Sequence, residues 1–208
     1  MAHANYTTIS NFAVKSYKGI FDALNNEGIR KLIENNDLNG VYKLLYTFNV
    51  RPSYHFTEYL LNECKLNPLD YFEYKIPDWA FSGCFPDDKL VVKGSIKLIG
   101  KDSFSFNDEL LALELQKGVE VIEHDAFAGC TKLQAISLPS TLKRIDDKAF
   151  DGVTAVVMYE GDILDFVKLF EHQHSRTAYE LFGQDAVINC KDATIDNWSR
   201  WLRNIRGI

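Results

Sequence analysis

The stretch LQAISLPSTLKRIDDKAFDGV, residues 133–153, decides the fold. It begins with the pattern L-x-x-I-x-L, which predicts a strand whose alternate side chains point to one side, and Pro139-Ser140 then turns the chain. A second short edge, an Ala149-Phe150 pair and a corner glycine follow. The side chains that we predict to point inward are Leu133, Ile136, Leu138, Leu142, Ile145 and Phe150. One coil of this kind cannot bury its apolar residues alone, so several coils must stack.

The same pattern recurs along the chain with a period of 23 residues. A small residue and a phenylalanine recur in step, with an isoleucine five residues before each ring, and the rings are Phe81, Phe104, Phe127 and Phe150. Other apolar columns with this period are Leu90, Leu113 and Ile136; Val92, Leu115 and Leu138; and Leu110, Leu133 and Val156. Gly83-Cys84 recurs as Gly129-Cys130, whereas the second coil has Phe106-Asn107 there. The pattern predicts an α+β protein built on a short solenoid of about four coils.

These motifs resemble a known family. The segments IPDWAFSGC (76–84) and IEHDAFAGCTKLQAISLPSTLKRIDDKAFDG (122–152) are similar to BspA-type leucine-rich repeats. The tail, MYEGDILDFVKLF followed by GQDAVINCKDATI, resembles the strands that close such arrays, with Ala193 where glycine is usual. The stretch YLLNECKLNPLDYFEYKIPDWAF (59–81) resembles the junction of a helical head with the repeats in BspA-like proteins of bacteriophages. The resemblance implies a leucine-rich solenoid that recognises proteins.

The regions outside the repeats are predicted to be helical. Residues 1–75 carry apolar residues at helical spacing, which predicts a helical head or cap. Residues 76–161 are predicted to form the repeats, and residues 162–208 a capping insertion, a strand and an amphipathic helix. The predicted last helix, 197–206, has an apolar stripe that includes Trp198 and Trp201, and arginines on another face that include Arg200 and Arg203. Both ends could simply cap the solenoid, whose open ends would expose apolar side chains. Alternatively the head, or the tryptophans and arginines of the tail, could dock a partner.

Composition and charge exclude several classes of function. The chain has 208 residues, 46% hydrophobic and 25% charged, which is typical of a globular protein, and a net charge of −6. Residues 76–161 carry 9 basic and 14 acidic side chains. Nucleic acid binding is disfavoured, because phosphate binders need a basic face. We expect no secretory signal and no membrane span. The four cysteines, Cys64, Cys84, Cys130 and Cys190, are few and widely spaced, which favours free thiols. Free thiols are typical of a cytoplasmic location, which would be the host cytoplasm if a phage encodes the chain.

No catalytic or cofactor motif is present. The sequence has no glycine-rich phosphate loop, no G-x-S-x-G and no H-E-x-x-H, and we expect no cofactor. His172-x-His174 has a metal-like spacing but lacks further ligands, so a polar loop is the favoured interpretation. His124 falls in an outward position of its repeat.

Candidate binding residues follow from strand alternation. We predict that a smooth strip of outward side chains faces a partner, and its members at successive coils are Ala112 and Glu114, Ala135 and Ser137, and Met158 and Glu160. The two glutamates could orient a basic partner. The alternative is that these are ordinary solvent positions.

These observations favour a non-enzymatic protein-interaction module. Through the phage resemblance, the expected partner is a host protein with a defence or regulatory role. The first alternative is a bacterial surface adhesion protein of the BspA type. The second is an enzyme with an unrecognised site in the head or the insertion. The oligomeric state is left open.

Overall fold

The structure is a computed structural model that describes residues 72–170, 181–183 and 185–197. It also describes 67–70 and the separate positions 31, 32, 35, 37, 40, 41, 200, 201 and 204. The predicted helical head lies mostly outside the described residues. Within it, Lys31, Leu32, Gly40 and Val41 have helical backbone, and a short 3₁₀ helix covers Pro68–Asp70.

Each coil contributes one strand to each of two sheets, and the strands of successive coils pair in parallel. The strands are β1 (Lys75–Ile76), β2 (Lys89–Val92), β3 (Leu98–Ile99), β4 (Ala112–Leu115), β5 (Val121–Ile122), β6 (Ala135–Leu138), β7 (Arg144–Ile145), β8 (Val156–Tyr159), β9 (Val187–Asn189) and β10 (Thr194–Ile195). The smaller sheet has the order β1-β3-β5-β7, and the larger has the order β10-β9-β8-β6-β4-β2. The predicted solenoid of about four coils is therefore confirmed.

The core lies between the two sheets, as the alternation predicts. In β6, Ile136 and Leu138 are buried while Ala135 is exposed and Ser137 is half-buried, and the other long strands alternate in the same way. Parallel pairing at the 23-residue period places identical columns side by side, for example Leu113 beside Ile136. Each coil thus covers the apolar face of the next.

Stacked phenylalanine rings run through the centre of the solenoid. Phe81, Phe104, Phe127 and Phe150 are fully buried, and successive ring centroids are 5.1, 5.3 and 5.2 Å apart with nearly parallel planes. A fifth ring, Phe182, continues the stack 5.0 Å from Phe150. Phe182 was not predicted, because it follows Phe150 by 32 residues and so breaks the period.

The corners of each coil need two residues with positive φ. One column, two residues after the stacked ring, contains Gly83, Gly129 and Gly152, and in the second coil Phe106 takes this position with a φ of 58°. The other column, two residues before the ring, has φ values between 53° and 59° and contains Trp79, Asp102, Asp125 and Lys148. No glycine marks this second column, so the sequence did not reveal it. Trp79, the bulkiest member, is held by its indole Nε1, which donates to the Asp102 carboxylate at 2.9 Å.

Asn107 takes the position of the buried cysteine of the first and third coils and makes more hydrogen bonds than Cys130 does. In the third coil the Cys130 thiol donates to the Phe104 carbonyl at 3.1 Å. In the second coil the Asn107 amide nitrogen donates to the carbonyls of Phe81 and Phe104 at 2.9 and 2.7 Å, and its oxygen accepts from the backbone N–H of Phe85 at 2.8 Å. The side chain therefore connects the first two coils through buried hydrogen bonds.

The fourth coil is two residues shorter before its long strand, which corrects one predicted column. Pairing places Val156 opposite Ala135 and Met158 opposite Ser137. Val156 therefore lies on the outside and is 45% exposed, rather than continuing the buried column of Leu110 and Leu133. The cause is the short connection from Val153, which is itself buried in the position of Cys130.

The described part of the tail closes the solenoid with a helix and a hairpin. Helix α1 (Ile163–Lys168) follows β8 and buries Phe166, and the carbonyl of Leu169 accepts from the backbone N–H of Ile145 at 3.2 Å. Strand β9 then pairs parallel to β8 and antiparallel to β10. The turn between β9 and β10 forms with Ala193 in place of glycine and without a positive φ at that residue.

The predicted C-terminal helix is described at three positions. Arg200, Trp201 and Asn204 have helical backbone, Arg200 is exposed, and Trp201 packs partly buried against the core. Trp198 and Arg203 lie outside the described residues.

We expect Phe127→Ala to lower the free energy of unfolding by about 3–5 kcal/mol, because it removes a fully buried ring stacked on both sides. Phe106→Ala is the matched control, since the Phe106 ring is 66% exposed, and it should cost about 1 kcal/mol or less. Urea titration of both variants measures the difference. Equal costs would contradict the central role of the stack.

A second prediction concerns two buried polar side chains in the second coil. Ser103 is fully buried where the other coils have alanine, and its hydroxyl finds no hydrogen-bond partner among the described residues. Ser103→Ala should raise the free energy of unfolding by about 1 kcal/mol, because it removes an unsatisfied polar group. Asn107→Ala should lower it by about 3 kcal/mol, because three backbone groups lose their partner. Chemical denaturation of both variants tests the opposite signs, and a destabilising Ser103→Ala would contradict the prediction.

Candidate functional site

The outer face of the larger sheet is the surface that the repeats display most regularly. We define this outer face by two rows of solvent-facing side chains that cross strands β2, β4, β6, β8 and β9. The first row is Lys89, Ala112, Ala135, Val156 and Val187, and the second is Val91, Glu114, Ser137, Met158 and Asn189. Parallel strands about 4.8 Å apart keep each row straight and evenly spaced.

The six predicted strand residues come together around one concavity on this face. The concavity has a volume of about 470 Å³ and is shallow, because small side chains form its floor. Its lining includes all six, which are Ala112, Glu114, Ala135, Ser137, Met158 and Glu160. The lining residues that sequence reasoning missed include Lys89, Gln116, Lys117 and Val156. Val156 was missed because the shortened fourth coil shifts β8 by two residues.

The same shift changes the positions of two predicted residues. Met158 lies in the row of Glu114 and Ser137, not in that of Ala112 and Ala135. Glu160 follows the end of β8, where its carboxylate accepts from the backbone N–H of Ser140 at 3.4 Å. It therefore lies at the edge of the outer face, beyond the second row.

The charges around the concavity are balanced, and only some of them are paired. The Lys89 ammonium lies 2.9 Å from the Glu114 carboxylate, and both side chains are about half-exposed. Glu114 is thus already compensated and is a weaker attraction for a basic partner than the sequence suggested. Lys117 and Glu160 are exposed, and neither forms an ion pair with another described residue.

Apolar side chains stand at one end of the concavity. Met158 is 54% exposed and Val156 is 45% exposed, and both belong to β8. Val91 of β2 belongs to the same outer face but does not line the concavity, and it is 37% exposed. Exposed apolar side chains grouped on a rigid surface are typical of protein-binding sites. The arrangement can therefore offer contact area and a few charges.

The residues that could support catalysis do not form a centre in the described chain. His124 is half-exposed, and its Nδ1 lies 3.1 Å from the Asp125 carboxylate. Burial raises the pKa of the Asp125 carboxyl, although the neighbouring imidazole acts in the opposite direction. Among the described residues no group of three histidine, cysteine or acidic side chains could hold a metal ion. His172 and His174 lie outside the described residues.

The described cysteines are free thiols, as predicted. Cys84 and Cys130 are buried, Cys190 is half-buried, and Cys64 lies outside the described residues. Burial raises the pKa of the Cys130 thiol and of the Cys190 thiol to about 11 in each case, and nearby aspartates act in the same direction. A raised pKa removes the thiolate that a nucleophilic cysteine needs.

Alkylation should follow these pKa values. In the native protein at pH 8, iodoacetamide should leave Cys130 unmodified and react slowly with Cys190, because little thiolate is present. The rate at Cys190 should rise with each pH unit towards its pKa of about 11. Peptide mass spectrometry measures both sites, with unfolded protein as the control for full reaction. Rapid labelling of Cys190 at pH 8 would contradict the assignment.

A family model described as a BspA type leucine-rich repeat region matches residues 49–157 in six copies. No curated protein and no solved structure matches the chain. In the described part of the chain, no helix is long and apolar enough to cross a membrane.

Proposed function

The chain belongs to the BspA-type leucine-rich repeat family, and we propose that it is a non-enzymatic module that binds another protein through the outer face of its larger sheet. Leucine-rich repeat solenoids generally act as binding scaffolds, because stacked coils present a broad and regular surface. The outer face has this character, since it repeats across five strands of one sheet.

The observation that supports the proposal most directly is the contrast between the two ends of the concavity. Met158 and Val156 project from β8, whereas the small side chains of Ala112 and Ala135 leave the backbone of the neighbouring strands accessible. A partner gains contact area with the exposed apolar side chains and can approach the sheet backbone over the alanines. The rows are fixed by parallel pairing, so the face loses little conformational freedom when a partner binds.

Charge would set orientation more than affinity. Glu160 and Lys117 lie at the C-terminal ends of the strands and are free to pair with a partner, whereas Glu114 is held by Lys89. Exposed charges of this kind change the rate of association and its dependence on salt. The acidic repeats, with 14 acidic and 9 basic side chains over 76–161, favour a basic partner.

We propose that the chain is a factor encoded by a bacteriophage, that it acts in the host cytoplasm and that its target is a host protein with a defence or regulatory role. The support is the resemblance of residues 59–81 to the head-to-repeat junction of phage-encoded BspA-like proteins.

A pair of variants tests the outer face. Ala135→Arg places a long charged side chain on the floor of the concavity, where Ala135 is solvent-exposed, so the fold should be kept and partner binding should fall at least about tenfold. Gln134→Arg adds the same side chain one residue away, at an exposed position outside the concavity, and should bind as the wild type does.

The measurement has two stages. Proteins captured from host lysate by the wild type are identified, and each purified candidate is then titrated against the three chains by biolayer interferometry. A true partner loses affinity with Ala135→Arg and keeps it with Gln134→Arg. Equal affinity of the partner for the wild type and both variants would show that the interface lies elsewhere than on the outer face.

A further inference from the structure

We infer that the outer face also binds a second copy of this chain, in a two-fold arrangement whose axis runs parallel to β6 and lies between the two outer faces. The inference rests on the proposed function, because it uses the same face and names one occupant for it. A two-fold interface needs a surface that is complementary to itself, so that each contact between two residues occurs twice.

The unpaired charges meet this requirement. Lys117 follows the end of β4 and Glu160 follows the end of β8, and these strands flank β6 on either side. Both side chains are exposed, and within the described chain neither has an ion-pair partner. Rotation by 180° about this axis places β4 of each copy over β8 of the other. Gln116 of each copy then lies opposite Glu160 of the other, and the adjoining Lys117, whose side chain lines the same concavity, pairs with that glutamate, which gives two ion pairs of the same kind.

The apolar side chains fit the same rotation. Val156 on β8 and Ala112 on β4 belong to one row, at equal distances from β6. The exposed valine of each copy therefore comes to lie over the alanine of the other. Ala135 lies next to the axis and meets its own counterpart, and its small side chain lets the two sheets approach. The same rotation thus places larger side chains against smaller ones and positive charges against negative ones.

The second row is compatible with this arrangement. Rotation places Met158 opposite Glu114, whose carboxylate is held 2.9 Å from Lys89 on the far side of β4 from the axis. The thioether then meets a glutamate whose charge is already compensated. The four charged side chains of the concavity, Lys89, Glu114, Lys117 and Glu160, sum to zero, so the faces do not repel although the whole chain carries a net charge of −6.

Charge exchange tests the arrangement in the full chain. Sedimentation velocity across a concentration series should show a monomer–dimer equilibrium for the wild type. Lys117→Glu places two acidic pairs in the interface and Glu160→Lys places two basic pairs, so each should raise the dimer Kd by about tenfold or more. The double variant, Lys117→Glu with Glu160→Lys, restores opposite charges and should return the Kd to within about threefold of the wild type.

Lys101→Glu is the matched control. It makes the same change of charge at an exposed position outside the concavity and should leave the Kd nearly unchanged. A wild type that stays monomeric, or a dimer that the single charge variants do not weaken, overturns the inference. A double variant that dimerises no better than the single variants overturns it as well. If the wild type is monomeric but Ala135→Arg still lowers the affinity for a captured partner protein, the dimer is ruled out and the proposed function stands. If the charge exchange succeeds but no other protein binds the face, the proposed function fails and the dimer stands.

Discussion

The packing of one phenylalanine per coil is the constraint on which the rest of the structure depends. The rings lie face to face at 5.0 to 5.3 Å, close to the spacing of neighbouring strands in a sheet. Because the two spacings agree, the coils can stack with the rings in contact and both sheets fully paired. Any residue that displaced a ring would also disturb strand pairing on either side. Because the repeat has a constant period of 23 residues, these distances stay equal from one coil to the next.

This constraint leaves the outer face free to vary. Inward positions are fixed by volume, since each must fill the space between the sheets. Outward positions do not have to fill the space between the sheets, so alanine, glutamate, serine and methionine can occupy neighbouring places in the same two rows. A binding surface can therefore change without any change in the core, which separates recognition from stability in this architecture.

The sequence predicted the solenoid because its strongest signals are local and repeated. The isoleucine, the alanine–phenylalanine pair and the alternating strand each follow from the need to bury one face of a coil. Breaks in the period were harder to predict. The two residues missing before Val156 shifted the register of β8, so that Val156 rather than Met158 lies beside Ala135, and the separation of 32 residues from Phe150 to Phe182 concealed the last ring. The turn column at Asp102 and Asp125 gave no glycine to recognise. All six candidate strand residues line the concavity, yet the ion pair of Lys89 with Glu114 depended on distances that a pattern does not contain.

The way Phe182 ends the stack has a consequence for how this protein can evolve. Its ring rests on Phe150 as a further coil's ring would, and Gly183 donates its N–H to the carbonyl of Val153. The closing segment around Phe182 and Gly183 thus packs against features that recur in other coils, namely a stacked ring and the corner that follows it. Duplication of one 23-residue unit ahead of the closing segment would present the same docking surface again. The array can therefore lengthen in whole units while its terminus is reused unchanged, and each added unit would widen the outer face by one strand.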